Sequence, residues 1–555
     1  MPNRQEKSNE IKAINELLKK KINSRPALMA VKRQLAKKYG LNILANSEIL
    51  DEYKNRVKAG KMSRLPELEK TLRKRTVRTL SGIAPVAVLT KPYPCPGECA
   101  YCPTEKNVPQ SYLSNEPAVM RAISCGFDPY KQARSRLEAM EANGHEPTKI
   151  ELIVIGGTWS VLPVAYKYWY IKECFRAANE YGNKNWKLEI GNWKKIKNQK
   201  IEIRDKFPIS NFQFQKLKQE LICEQKRNEY TKYKIIGITL ETRPDYINDK
   251  ELWEMRDLGC TRVEIGVQAI DDKILKLNKR GHGVNEIIQA TKLLKDYGFK
   301  VTYHIMPGLP GATAKKDLAM FKKLFTGQPF RPDQIKFYPT VVTRGSLLYR
   351  WWRAGQYKPY PDKVLQNLIV ACKKTVPPYV RVIRLIRDIP EESIVAGNTI
   401  TNLRQIMKGR GVKCRCIRCR EAGEKQLTIN NYQLSIIKYP ASGGTEYFLS
   451  YESKNKKTLY GFCRLRLANI TPLVPFVRRV AMIRELHVYG ELVPVGRGKK
   501  IQHAGLGKKL MKAAEKIAGE NGCEKITVIS GVGVRGYYRK LGYRLKNSYM
   551  VKSLV

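Results

Sequence analysis

The chain has 555 residues, too many for one hydrophobic core, so two to four domains are expected. Its 103 Lys and Arg against 50 Asp and Glu leave a formal charge of +53, which predicts a polyanionic partner, nucleic acid before a membrane surface. No apolar run is long enough to cross a membrane, and the charged start MPNRQEKSNEIKAINELLKKKI lacks a signal peptide's apolar centre, so a cytoplasmic protein is expected.

Residues 1–80 carry 21 Lys/Arg and 8 Asp/Glu. In NEIKAINELLKKKI, Ile11, Ile14, Leu17 and Leu18 share one helical face with cations opposite, and RPALMAVKRQLAKKYGL repeats the pattern. We read a basic helical extension that tracks phosphates, against the alternative of solvated helices packed on the next domain. From 81 to 400, apolar runs read as buried strands: KIELIVIGG, YKIIGITLETRPD, TRVEIGVQAI, KVTYHIMPGLPG and QIKFYPTVV. The stretches VLPVAYKYWYIKECFRAANEYG and GVNEIIQATKLLKDYGF between them read as helices. That rhythm predicts an α/β domain, a partial (βα) barrel with its active site at the C-terminal strand ends, where the GG, TRPD, GVQ and PGLPG clusters fall. The basic insertion 183–206 reads as an exposed loop or hairpin. Residues 401–425 form a Cys-rich basic connector. From 426 to 555, β-rich runs lead into a strand–loop–helix–strand pattern, a mixed α+β domain.

Thirteen cysteines in a cytosolic chain are not a disulfide framework, and six of them fall into two tight groups. Cys95, Cys99 and Cys102 sit in KPYPCPGECAYCPT. A structural zinc site needs four ligands, whereas three thiolates suit a [4Fe–4S] cluster with one open iron. The CxxxCxxC spacing resembles the signature of radical S-adenosylmethionine (SAM) enzymes, whose open iron chelates SAM. Gly156, Gly157 and Thr158 end the second barrel strand. Paired glycines let backbone approach a ligand, and in that superfamily this position holds the amino group of SAM.

A second site is Gln502, His503, Ala504, Gly505, Leu506 and Gly507, a Q-x-x-G-x-G loop before an amphipathic helix. Free backbone N–H groups at a helix N-terminus bind a pyrophosphate. With GVRGYYRKLGY downstream, it resembles the acetyl-CoA motif of GCN5-related acetyltransferases (GNAT). Tyr538, with Tyr537 beside it, is the candidate to hydrogen-bond the CoA sulfur or to act as general acid to the departing thiolate, against the alternative of a core tyrosine pair. A third site is Cys414, Cys416 and Cys419, read as zinc ligands pinning two domains rather than free thiols, with Asp388, Glu421 and His282 as guesses for a fourth.

The motifs YPCPGECAYCP, PQSYLSNEPAVMRAI, GITLETRPDY, GCTRVEIGVQAIDD, NKRGHGV, HIMPGLPG, YPTVVTRGSLLY, RDIP, ELHVYGELVPV and QHAGLG…GVRGYYRKLGYR run in order from about 75 to 555. Together they resemble the catalytic subunit of Elongator, in its stand-alone archaeal form. CPTEK stands where that family has CPGG, and RGYY where it has RNYY. The resemblance implies a partial radical SAM barrel at 81–400 fused to a GNAT-type domain at 426–555, acting on the wobble uridine of a tRNA anticodon loop. It implies acetyl-CoA with its pyrophosphate on 502–507 and its pantetheine along Glu485, Leu486, His487 and Val488, contacted by Lys149. SAM cleavage would yield a radical on the acetyl methyl, addition to C5 of the uracil and, after thioester hydrolysis, 5-carboxymethyluridine. A monomer and a homodimer both stay open, and the sequence implies no other Elongator subunit. Two alternatives stand beside this reading. One is a lysine acetyltransferase with a merely structural iron–sulfur domain and Glu485 as its base; the other is a non-catalytic tRNA-binding protein, which leaves two cofactor sites unexplained.

Overall fold

A computed structural model describes residues 4–74, 82–181, 210–387, 389–400, 402–423, 432–468, 480–489 and 505–554. The expected loop at 183–206, Asp388 and the residues Gln502, His503 and Ala504 lie outside the described residues.

The basic N-terminal segment folds into helices Arg4–Lys19, Arg25–Tyr39, Asn46–Lys58 and Pro66–Leu72. Ser24 caps the second helix by accepting from the Ala27 amide, and Gly40 ends it at φ 62°. Leu17, Leu35, Ile49 and Leu72 are wholly buried in a core of this module's own. Ile11, expected on the apolar face, is instead 49% exposed. Lys54 Nζ donates to the Glu141 carbonyl and Arg73 Nε to that of Gly144. The extension is therefore a folded module docked on the next domain.

Seven parallel strands form the central sheet of the described residues: β1 (Ala84–Leu89), β2 (Lys149–Ile155), β3 (Lys234–Thr242), β4 (Arg262–Gln268), β5 (Lys300–Ile305), β6 (Gln334–Phe337) and, beyond β7 (Val342–Thr343), β8 (Arg381–Arg384). They lie in the order β1-β2-β3-β4-β5-β6-β8, and β7 pairs separately with β9 (Ile394–Ala396). The first and last strands do not pair, so the sheet is a half-barrel. Helices between the strands, among them Val164–Glu180 and Val284–Asp296, cover its outer face. On β2, Ile150, Leu152 and Val154 are buried in the core, while Glu151, Ile153 and Ile155 face the lumen.

The second sheet has the order β10-β11-β12-β13-β14-β16-β15. Its strands are β10 (Tyr432–Ala441), β11 (Gly444–Ser453), β12 (Leu459–Ala468), β13 (Val480–Val488), β14 (Lys525–Val528), β15 (Arg544–Lys546) and β16 (Tyr549–Ser553). Only β13 and β14 run parallel, and their pairing ends at Ile483 with Val528. Glu485 to Val488 continue on β13 beyond the end of the β14 pairing, in register with β12 on the other side. Helix Leu506–Glu520 packs across β11, β12 and β13.

The two domains share a buried ionic seam. Arg484, the residue bulged out of the β12–β13 register, ion-pairs with Asp333 before β6 and with Glu446, all three 0% exposed. Arg466 joins Asp296 to Glu446, and Arg464 joins Asp333 to Glu485. The connector wedges into the same junction: the Ile417 amide donates to the Val380 carbonyl, and Arg420 donates to Pro378 O and pairs with Glu452.

Candidate active site

The loop that leaves β1 carries the three cysteines, and the chain ties it down from several sides. The Ala100 amide donates to Asn278 O, and Ala100 O accepts from the Leu348 amide. Arg280, itself held by its Nε and Nη2 on Gly266 O, donates Nη1 to Cys99 Sγ at 3.1 Å. A hydrogen bond from Cys102, with the Arg280 and Arg243 guanidiniums close by, draws the Cys99 thiol down to about 5 despite its burial. Cys102 is pushed up in turn by giving that hydrogen bond. Cys95 Sγ lies 3.5 Å from Thr158 Oγ1, which joins the cysteine loop to the end of β2.

Glycine is required twice here. A Cβ on Gly97 would stand 2.2 Å from Arg243 Nη1, and one on Gly156 (φ 135°) would stand 2.1 Å from Thr90 Oγ1. Gly157 and Thr158 line the cavity in front of the cysteines. So does Gln268, a non-glycine residue at φ 65° where β4 breaks register with β5. Its buried Oε1, and buried Arg243 Nη1, take part in no hydrogen bond within the chain. A strained residue and two unanswered polar atoms facing three thiols fit a site built to be filled by a polar cofactor.

The cavity does not stop there. About 670 Å³ in volume, it is lined by Cys95, Cys99 and Cys102 at one end and runs inside the half-barrel. There it meets Glu151, Arg262, Lys300, Gln334 and Arg381 at the strand starts, and Glu485 and His487 of β13. Burial pushes the Glu485 carboxyl up, but Lys300 and Arg464 outweigh it and hold the group ionised. Arg464 Nε donates to it at 2.9 Å.

At the other sequence-predicted site, Gly505 (φ 74°) opens helix Leu506–Glu520. A Cβ on Gly507 would lie 2.7 Å from Tyr537 Oη and 3.8 Å from Val488, so Tyr537 reaches the helix N-terminus beside the end of β13. Burial raises the Tyr537 hydroxyl to about 12. Tyr538, the neighbour favoured from the sequence, has its ring in the domain core with Cys463 and Tyr543. Lys149 lies at the start of β2, the opposite end from Gly156, in register with Lys234, which abuts Gly533 of the second domain.

Cys414, Cys416 and Cys419 bring their sulfurs within 4.8 Å of one another. Thiolates on one tetrahedral zinc with bonds of about 2.3 Å stand about 3.8 Å apart, so the trio fits a single ion. Neither guessed fourth ligand within the described residues completes it. Glu421 is spent on Arg381 and Arg418, and His282 sits against Gly283 beside Arg280 and Asp245. Lys373 Nζ approaches Cys419 Sγ at 3.6 Å.

The radical SAM superfamily model matches residues 207–324, its C-terminal domain 332–410, and the acetyltransferase (GNAT) family 428–543. The chain is similar to the tRNA uridine(34) acetyltransferase of Dehalococcoides mccartyi (strain CBDB1), with 43% identity over 493 residues, 87% of this chain and 100% of that protein. It is similar to human Elongator complex protein 3, with 38% identity over 550 residues, 95% of this chain and 93% of that protein. The solved structure of Elp3 from Methanocaldococcus infernus, lacking residues 1–46, matches with a TM-score of 0.69 and 39% identity, covering 85% of this chain and 99% of that one. The chain belongs to the Elp3 family. It is thus a transferase-class enzyme with a radical SAM half-barrel and a GNAT domain. A radical SAM domain implies SAM with a [4Fe–4S] cluster, and a GNAT domain implies acetyl-CoA. No described helix is long and apolar enough to cross a membrane.

Several residues of this Elp3-type site were not singled out from the sequence. Arg243 and Arg280, which act on the Cys99 thiol, sit in the TRPD and KRGH turns and read as ordinary loop cations. Gln268 had a signal in GVQ, where a polar residue closes a buried strand, but its left-handed backbone leaves no trace in residue type.

Proposed function

We propose that this enzyme modifies the wobble uridine of tRNA at C5. It joins the methyl carbon of an acetyl group, delivered as acetyl-CoA, to the base, and thioester hydrolysis then leaves 5-carboxymethyluridine. The observation that carries the reading is one cavity shared by three thiols and by Glu485 and His487 of the acetyltransferase strand. The relatives named for tRNA uridine(34) support the substrate.

In this reading Cys95, Cys99 and Cys102 hold the [4Fe–4S] cluster, with Gly156, Gly157 and Thr158 beside SAM. Once bound, that pair supplies the one-electron chemistry able to take hydrogen from an unactivated methyl group. Arg280 and Arg243 favour the thiolate form of Cys99 that an iron requires. Gln502 to Gly507 take the pyrophosphate at the N-terminus of helix Leu506–Glu520. Glu485–Val488, beyond the end of the β13–β14 pairing, runs along the pantetheine arm. Tyr537, protonated at neutral pH and next to Gly507 and Val488, donates to the departing thiolate, and Tyr538 supports its ring at 5.3 Å. Lys149 serves the acetyl-CoA end. Zinc on Cys414, Cys416 and Cys419 pins the connector to both domains, and Cys416→Ser is expected to lower zinc content. A wobble base, already unpaired in its loop, splays into the cavity without melting a duplex. The net charge of +53 predicts binding that weakens steeply with salt.

The test is anaerobic reconstitution with iron and sulfide, then incubation with SAM, reductant, acetyl-CoA and tRNA. Deoxyadenosine release and carboxymethyluridine in digested tRNA are expected. Cys99→Ser is expected to lose both; if that variant still modifies uridine, the reading is wrong. Equal stimulation of acetyl-CoA hydrolysis by tRNA and by a histone peptide would favour a lysine acetyltransferase instead, for which the Arg464-paired Glu485 is a poorly placed base.

A further inference from the structure

The proposed function needs the acetyl methyl to reach the cysteine end, yet the two ends of the cavity lie at opposite ends of the strands. On β4, Arg262 at the acetyltransferase end and Gln268 at the cysteine end are six residues apart. At about 3.3 Å per residue, that is about 20 Å of barrel.

The wall between them is unusual. The interior of a closed (βα) barrel is ordinarily filled by branched apolar side chains. Here many inward positions are ionic. His304 bridges Glu241, at 3.3 Å, and Glu264, at 2.9 Å. Lys336 pairs with the same Glu264, and Arg262 pairs with Glu151 at 3.1 Å. Glu264 is 1% exposed, and its Oε1 takes no hydrogen bond from the chain. Burying such groups is costly, and well-packed apolar residues would serve stability as well or better. A charged lining is what a passage for polar cargo requires. Among the described residues lining the cavity, eleven are Lys or Arg and five are Glu. Low-dielectric walls focus that excess into a field that attracts anions and carbonyl oxygens.

We propose that the barrel lumen is a binding site and conduit for the two-carbon acyl group, carried between Glu485 and the three cysteines as the thioester end of acetyl-CoA. The proposal rests on the function argued above. Lys300, close to Glu485, marks the entrance at the acetyltransferase end, and the His304–Glu264–Lys336 belt is the midpoint that the oxygen of the acyl group passes. No bond forms or breaks in transit.

The test plugs the lumen from the β1–β2 wall. Ile153 on β2 and Ala87 on β1 are register partners that line it, and neither is among the residues assigned above to a cofactor. Ile153→Trp and Ala87→Phe are expected to keep wild-type iron content, melting temperature and acetyl-CoA affinity, and to release deoxyadenosine from SAM when acetyl-CoA is omitted. Uridine modification is expected to fall at least tenfold, while Ile153→Val keeps it. Plugged variants that retain iron and fold and modify uridine at the wild-type rate overturn the conduit. Should both plugs misfold, Lys300→Gln replaces them; it is expected to raise the deoxyadenosine released per uridine modified, and an unchanged ratio overturns the proposal. Wild-type enzyme that fails to modify uridine with acetyl-CoA would instead sink the proposed function. Isotopically labelled acetate supplied in place of acetyl-CoA is expected to leave no label in tRNA; label there would overturn the thioester as cargo.

Discussion

Asp333 is the residue at which the two domains are most exposed to a single change. Its carboxylate is 0% exposed and faces three cations: Arg484 Nη1 at 3.1 Å, Arg464 at 3.5 Å and Lys295 at 4.0 Å. Its Oδ2 also accepts from the Val301 amide at 2.9 Å, on β5. Burial alone would raise the Asp333 carboxyl, but Arg484, Lys295 and Arg464 hold it well below the usual carboxylate range. Asp333→Ala leaves those cations buried against too few acids, and removing one member of a buried pair costs about 3–5 kcal/mol. The orphaned Val301 amide adds about 1–3 kcal/mol. The lower bound, about 4 kcal/mol, is a large part of the ~5–15 kcal/mol that stabilises a typical domain. For cooperative units of about 150–250 residues it lowers Tm by roughly 8–16 °C. Asp333→Asn keeps an acceptor for Val301 and is expected to fall between wild type and alanine. Arg464 also holds Glu485, so acetyl-CoA hydrolysis is expected to drop in Asp333→Ala below the temperature at which the protein melts. Scanning calorimetry of the full chain is the assay. An alanine variant melting within about 2 °C of wild type would refute the reasoning, because the seam would then be strong in geometry and idle in energy.

Other substitutions test single contacts. Gly97→Ala drives a methyl group into Arg243 Nη1, 2.2 Å from its ideal position, so iron content after reconstitution is expected to fall several-fold with little change in Tm; full iron content would count against the fitted loop. Gly507→Ala meets the Tyr537 hydroxyl at 2.7 Å and is expected to weaken acetyl-CoA binding, with partial rescue of affinity by Tyr537→Phe in equilibrium titration; no rescue would place the obstruction elsewhere. Asp317, buried and accepting from the Gly308 amide and Tyr360, has its carboxyl raised by burial from 3.8 to about 6. The folded state thus holds this proton more tightly, and the stability it lends is full below about pH 4 and lost as pH rises through 6. The Tm advantage of Asp317→Asn over wild type is therefore expected to grow between pH 4 and 7. A difference independent of pH would rule that titration out.

The half-barrel was legible because strands buried on both faces read as apolar runs between amphipathic helices, as in KIELIVI before Gly156. The same burial hid the lumen. Periodicity of two says that Glu151 shares a face with Ile153, but not whether that face meets solvent or the barrel interior. Arg262 and Glu264 were therefore not singled out within TRVEIGVQAI, although both are buried and charged. Local pattern also failed where the partner is distant in sequence. Asp333 and Arg484 are 151 residues apart, and nothing near either one announces the other. Tyr537 and Tyr538 differ by one step on a short helix, which turns one hydroxyl toward Gly507 and the other ring into the core. Each omission has one cause: local sequence reports the periodicity of a face, and chemistry at a distance depends on what the fold brings to that face. For this enzyme the distance is the barrel itself. The radical site proposed at one end of the strands and the acyl site proposed at the other are useful to each other only if the space between them conducts, and a lumen lined with ion pairs is the part of the fold we propose for that role.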